Sequence, residues 1–228
     1  MLRNNIILIL HIPVKVFFAL MFSLLLYEKT WGWRIFRRIS FLPGIISAVI
    51  IGYLFRVMFG FNGPINLLLR AAGLDILAVE WLGNGITAIV VIIICLIWQG
   101  IGWQSLLILG GLSAVPPSIF EAAEIDGAGY WRRLIHIVLP MLVRIFEYTF
   151  IMNIMWVFTG LFPYIFSLTN GGPGYETTTL DYMIYIKAFV SGNQLGSACA
   201  LAVILLVIIM SFTKLQMKLA DRADDWSG

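Results

Sequence analysis

Six ionisable side chains, Glu121, Glu124, Asp126, Arg132, Arg133 and His136, fall between Ser113 and Leu142, with long apolar runs on either side. Ionised groups are costly in hydrocarbon, so a surface this rich in them belongs in water, where its natural chemistry is recognition of a partner. An intramembrane enzyme would place a Ser and a His deep in its spans, and a proton-coupled carrier would pair buried acids; neither pattern stands out. No Gly-Lys-Ser/Thr run occurs, so the chain has no Walker loop for ATP. Cys95 and Cys199 sit in apolar runs without Cys or His at ligand spacing and read as packing residues, and His11 stands alone. No metal or cofactor is expected. Inside the apolar runs a second polar set appears: Thr149 and Asn153, with Trp156 on the same helical face, then Thr159 and Tyr164. Polar groups at such depth normally face a bundle interior or a wet pathway. The competing reading is packing, since aromatic residues make up 14% of the chain. Arg144 and Glu147, three apart, suit a local ion pair, and Arg56 suits snorkelling.

The elements that must carry these groups are membrane helices. Of the 228 residues, 61% are hydrophobic and 12% charged, and the mean hydropathy is +0.95, outside the range of soluble domains. The net charge of +3 is small and scattered, which excludes nucleic-acid binding. A helix crosses the hydrocarbon core with about 20 apolar residues. Runs of that kind extend from Ile6 to Tyr27, Ile39 to Phe59, Gly85 to Leu109, Met141 to Phe166 and Leu195 to Phe212. The fold class expected is an all-α polytopic membrane bundle of about five transmembrane helices. His11, Pro13 and Lys15 interrupt the first, where Lys15 could snorkel outward only if the first turns lie near an interface. A signal peptide is the competing reading there, against which stand the length of the run and the lack of a small-residue cleavage site.

Cations set the orientation. The loop from Glu28 to Arg38 carries Lys29, Arg34, Arg37 and Arg38 against one acid, and should be cytoplasmic. The loops Phe61 to Asn84 and Asn170 to Gln194 are acid-balanced and should face outward. Alternation places the Ser113 to Leu142 stretch in the cytoplasm with the tail bearing Lys214, Lys218 and Arg222, and the N-terminus outside.

The polar stretch reads as two short helices joined by a turn. Pro116-Pro117 ends the preceding helix, Ser118 and Glu121 have capping-box spacing, and Asp126-Gly127 signals a reversal. From Tyr130 a second helix lays Trp131, Leu134, Ile135 and Val138 on one face, with Arg132, Arg133 and His136 off it, as in a helix lying on a membrane surface. Pro140 marks the passage into the next span.

These residues resemble the membrane-spanning permease subunits of bacterial binding-protein-dependent ABC importers. The family's signature is Glu-Ala-Ala, three residues, Gly, then about nine residues to Ile-x-Leu-Pro; this chain has Glu121-Ala122-Ala123, Gly127 and Ile137-Val138-Leu139-Pro140. The resemblance implies a type I importer fold whose first short cytoplasmic helix is a coupling helix docking on a separate ATPase subunit. Glu121, Ala122, Ala123, Asp126 and Gly127 would then make or shape that contact. It implies one transmembrane domain over 1–228 with a coupling segment at 113–140, in the bacterial cytoplasmic membrane. Partners would be two ATPase subunits, a similar second permease and an external solute-binding protein.

Leu168 to Pro173, Thr177 to Leu180, Tyr182 to Phe189 and Gly196-Ser197-Ala198 are similar to the sugar-importing, maltose-type branch, as are Leu42-Pro43, Asn66 to Leu69, Trp81-Leu82 and Ile97-Trp98. This branch implies a sugar, oligosaccharide or polyol cargo and a non-identical second permease. Sugars stack on aromatic rings, which gives Trp156 and Tyr164 a reading on the translocation pathway. The cytoplasmic signature alone would allow another small polar solute. Gly171-Gly172-Pro173-Gly174 reads on its own as a tight turn. Family members typically have six spans, and this chain starts where the resemblance places the second. Truncation, a misassigned start and a genuine absence of the first helix all remain open.

Overall fold

The computed structural model describes residues 1–29, 32–192 and 194–225, with side chains described to Lys218. The predicted tail cation Arg222 lies outside the described side chains. Among the described residues there are helices and no strands: α1 (Leu2–Ile9), α2 (His11–Tyr27), α3 (Trp33–Ile45), α4 (Ala48–Met58), α5 (Pro64–Ala71) and α6 (Gly85–Ala114). They are followed by α7 (Pro117–Ile125), α8 (Tyr130–Met141), α9 (Val143–Thr159), α10 (162–169), α11 (180–190) and α12 (Leu195–Asp225). Among the described residues three helical runs, Leu2–Tyr27, Gly85–Ala114 and Leu195–Lys218, are long and apolar enough to cross a membrane, or up to five if two bent pairs each count as one span.

One bent pair corrects the sequence reading. The expected span from Ile39 to Phe59 is broken into α3 and α4, because Pro43 and Gly44 weaken the end of α3 and Ser47 turns extended before α4 begins. The expected span from Met141 to Phe166 begins at the 59° bend between α8 and α9, where Pro140 was expected to mark the passage, but is interrupted after Thr159, ahead of Pro163. The stretches assigned to loops contain α5 and α11. α6 is an unbroken run of 30 residues. At about 1.5 Å per residue it is longer than the hydrocarbon core is thick, so its end reaches beyond it. Asn84 caps its start by accepting the Ile86 N–H at 2.9 Å, and Pro116 lies just past its end.

The chain divides into two compact units. The first comprises Met1–His11, Ile46–Trp98 and Asn153–Gly228. Its core includes Phe158, Leu180 and Leu205, drawn from α9, α11 and α12. The Asn66 side chain ties the loop after α5, donating to the Val79 carbonyl at 2.8 Å and accepting from the Trp81 indole at 2.9 Å.

The second unit comprises Ile12–Ile45 and Gln99–Met152. Its core joins Ala19, Leu20 and Leu24 of α2 to Ile108 and Leu112 of α6, and to Leu134, Val138 and Leu142 at α8 and its end. α3 packs against α6 through Gly102, where an added Cβ would stand 2.0 Å from the Ser40 carbonyl oxygen. Only glycine permits that approach of two backbones. Lys15, which could snorkel only near an interface, is instead buried, with its stem against Gly100.

Candidate functional site

α7 begins at Pro117, whose missing N–H suits the first turn of a helix. The expected capping box does not form: Pro116 occupies the cap position with no side-chain cap, which places Ser118 inside the first turn. The other end follows the expectation. Gly127 takes φ +70°, the Gly127 N–H donates to the Glu124 carbonyl at 3.0 Å, and the Ala128 N–H donates to the Ala123 carbonyl at 2.9 Å. This pair of bonds closes the helix as a Schellman motif, which needs a left-handed residue at the position Gly127 holds.

α7 is two-faced. Phe120 packs on the unit's core and Ala123 is buried, whereas Glu121, Ala122, Ile125 and Asp126 are exposed, Ile125 at 86%. Of the five predicted coupling residues, four therefore reach solvent, Gly127 among them as it ends the helix, and Ala123 seats the helix. Ile125, which the motif did not single out, is the apolar centre of the open face. Arg133 of α8 lies 3.9 Å from Glu124.

In α8 the expected apolar stripe splits. Leu134 and Val138 enter the core, while Trp131 and Ile135 stay 68% and 52% exposed. Residues 134–138 form a π turn, and its wider winding rotates side chains away from the 3.6-residue register that the stripe assumed.

The predicted pathway residues are only partly brought together. In the second unit, Thr149 is buried and its hydroxyl accepts from the Gln104 side-chain amide at 3.1 Å. In the first unit, Asn153 is buried, and Trp156 and Tyr164 meet edge to face with ring centres 5.6 Å apart. Thr159 is exposed and donates back to the Met155 carbonyl at 3.1 Å. Gln104 escaped the sequence reading; a polar residue in the middle of an apolar run was the signal available.

The turn after α10 is tight, as expected. Asn170 and Gly171 both take positive φ, and the Thr178 hydroxyl donates to the Gly171 carbonyl at 3.0 Å. Two buried asparagines at the start of the chain hold it. Asn4 donates to the Thr178 carbonyl at 2.8 Å, and Asn5 donates to the Val157 carbonyl at 2.9 Å while accepting the Leu180 N–H at 3.1 Å. Asp181 accepts the Phe162 N–H at 2.6 Å and the Tyr182 N–H at 2.9 Å. Burial pushes its carboxyl above the usual range despite these donors. Among the described residues, no group of three or more His, Cys, Asp or Glu is placed to hold a metal.

Comparison with known proteins agrees with this architecture. The chain is 33% identical over 222 residues to the probable ABC transporter permease protein YurN of Bacillus subtilis, covering 95% of this chain and 75% of that protein. It is 36% identical over 197 residues to the multiple sugar-binding transport system permease protein MsmF of Streptococcus mutans, covering 86% and 67%. Its fold matches a chain of a bacterial ABC transporter involved in import of the acidic polysaccharide alginate, with a TM-score of 0.87 and 23% identity over 96% of this chain and 77% of the other. Residues 1–223 match the family model of binding-protein-dependent transport system inner membrane components, and the chain belongs to that family.

Proposed function

We propose that this permease forms half of the translocation pathway of an ATP-driven importer for a sugar, oligosaccharide or related polyol. The observation that carries the proposal is α7: a short helix, set between apolar helices and sharply ended at Gly127, with Glu121, Ala122, Ile125 and Asp126 turned outward. A separate ATPase subunit docks on that face, with Ala123 and Gly127 fixing the helix beneath the contact. The coupling segment 113–140 acts within one transmembrane domain that works with a similar, non-identical permease and an external solute-binding protein. The N-terminus lies outside and the C-terminus in the cytoplasm, as the cation-rich loop before Arg38 demands.

ATP-driven closure of the ATPase pair moves α7. α7 rests through Phe120 on the core built from α2, α6 and α8, so the movement passes to rigid rods rather than dissipating in a loop. Thr149, Asn153, Trp156, Thr159 and Tyr164 are the residues proposed to meet the solute. The sugar cargo draws support from the name of the MsmF relative. Reconstitution with the cognate binding protein and ATPase tests the reading. Sugar or polyol uptake that requires ATP and the binding protein is expected, and uptake only of a solute from another chemical class would replace the cargo assignment.

A further inference from the structure

α3 carries more positive charge than any contact within its unit uses. Arg34, Arg37 and Arg38 are exposed along it, and Lys29 precedes it. Among the described residues none of these four is ion-paired, and Arg34 lies 5.5 Å from the centre of the Trp33 ring. Two cavities flank Arg37. One, of about 460 Å³, is lined by Lys29, Arg37 and Trp33 with Leu26 of α2 and Leu109 of α6. The other, of about 520 Å³, is lined by Arg34, Arg37 and Arg38 with Phe41, Leu42 and Ile45. No acid lines either one.

Cationic rims over apolar walls select a molecule that is anionic at one end and apolar at the other. The surrounding surface agrees. Ile35, Ile39, Leu42 and Ile45 are 63%, 63%, 62% and 82% exposed, an apolar flank beside the arginines that suits acyl chains. Trp33 opens α3 beside Arg34, and tryptophan is the residue type that anchors helices at headgroup level. We propose that the grooves on either side of Arg37 bind the phosphate of an anionic phospholipid, with its chains lying along the exposed flank of α3. Guanidinium groups clamp phosphate oxygens with paired N–H donors, and basic pockets between membrane helices are suited to such headgroups. That the lipid comes from the inner leaflet rests on the orientation proposed above; the binding itself does not.

Native mass spectrometry of the purified full chain in detergent, titrated with phosphatidylglycerol or phosphatidylcholine, tests this. The wild type should retain phosphatidylglycerol at least about tenfold more tightly than phosphatidylcholine, given roughly 1 kcal/mol per cation at a headgroup. The triple variant Arg34→Gln, Arg37→Gln, Arg38→Gln should lose that preference, and Arg34→Lys, Arg37→Lys, Arg38→Lys should keep most of it, which separates lost charge from lost fold. Equal retention of the two lipids by the wild type, or an unchanged preference in the glutamine variant, would overturn the proposal. So would displacement of the lipid by free glycerol 3-phosphate at matching concentration, since that would mean a site for a soluble phosphate. No arm of the test reads transport, so its failure would leave the importer reading standing.

Discussion

Gly127 is the residue on which the proposed coupling segment turns. Its φ of +70° belongs to a region that costs a β-branched residue on the order of 1 kcal/mol or more, and an added Cβ would meet nothing within 4 Å. The penalty is therefore conformational and falls on the closing bonds to Glu124 and Ala123, not on packing. Gly127→Val should leave the membrane helices folded and ATP hydrolysis present, while lowering uptake by about tenfold or more, because a frayed α7 transmits less movement. Parallel assays of ATPase activity and uptake in the reconstituted importer measure this, and normal uptake in the variant would contradict the lever mechanism. Gly127 was legible in the sequence because a glycine after Asp126 at the end of a helical run has few other uses. Ser118 misled for the opposite reason: its spacing to Glu121 fits a cap, but Pro117 starts the helix two residues earlier than such a cap would.

Helix contacts carry the next constraint. Gly102 brings α6 onto the backbone of α3, and an added Cβ would lie 2.0 Å from an oxygen that cannot rotate away. Gly102→Val should destabilise the protein by about 1–3 kcal/mol, read as earlier thermal unfolding in detergent, whereas Gly110→Val, with nothing within 4 Å of its added Cβ, should cost less. Apolar run lengths sufficed to find α2, α6 and α12, since a continuous apolar helix is the only element such runs support. They missed the breaks between α3 and α4 and after Thr159 because composition registers hydrophobicity and not continuity. The breaks at Ser47 and Leu142 depend on local backbone geometry near Pro43 and Pro140. The π turn at 134–138 carried no signal in the residue pattern, so half of the stripe predicted for α8 ended up exposed.

For the whole molecule, a family of inner membrane components shares this chain's fold, and the proposed division of labour is simple. In that proposal ATP is spent elsewhere, and this chain supplies the helix that receives the movement and part of the path that the solute follows. The short polar helix was legible because such a segment stands out against 61% hydrophobic residues. The path was harder to read, since Thr149, Asn153 and Trp156 differ little in type from residues that merely pack. The most direct measurement is disulfide crosslinking of Ile125→Cys, in a background with Cys95 and Cys199 replaced, to cysteines placed on the surface of the co-expressed ATPase subunit. A crosslink that forms and whose yield changes when ATP is bound is the predicted result; no crosslink from Ile125→Cys or Ala122→Cys in an actively transporting complex would contradict the account.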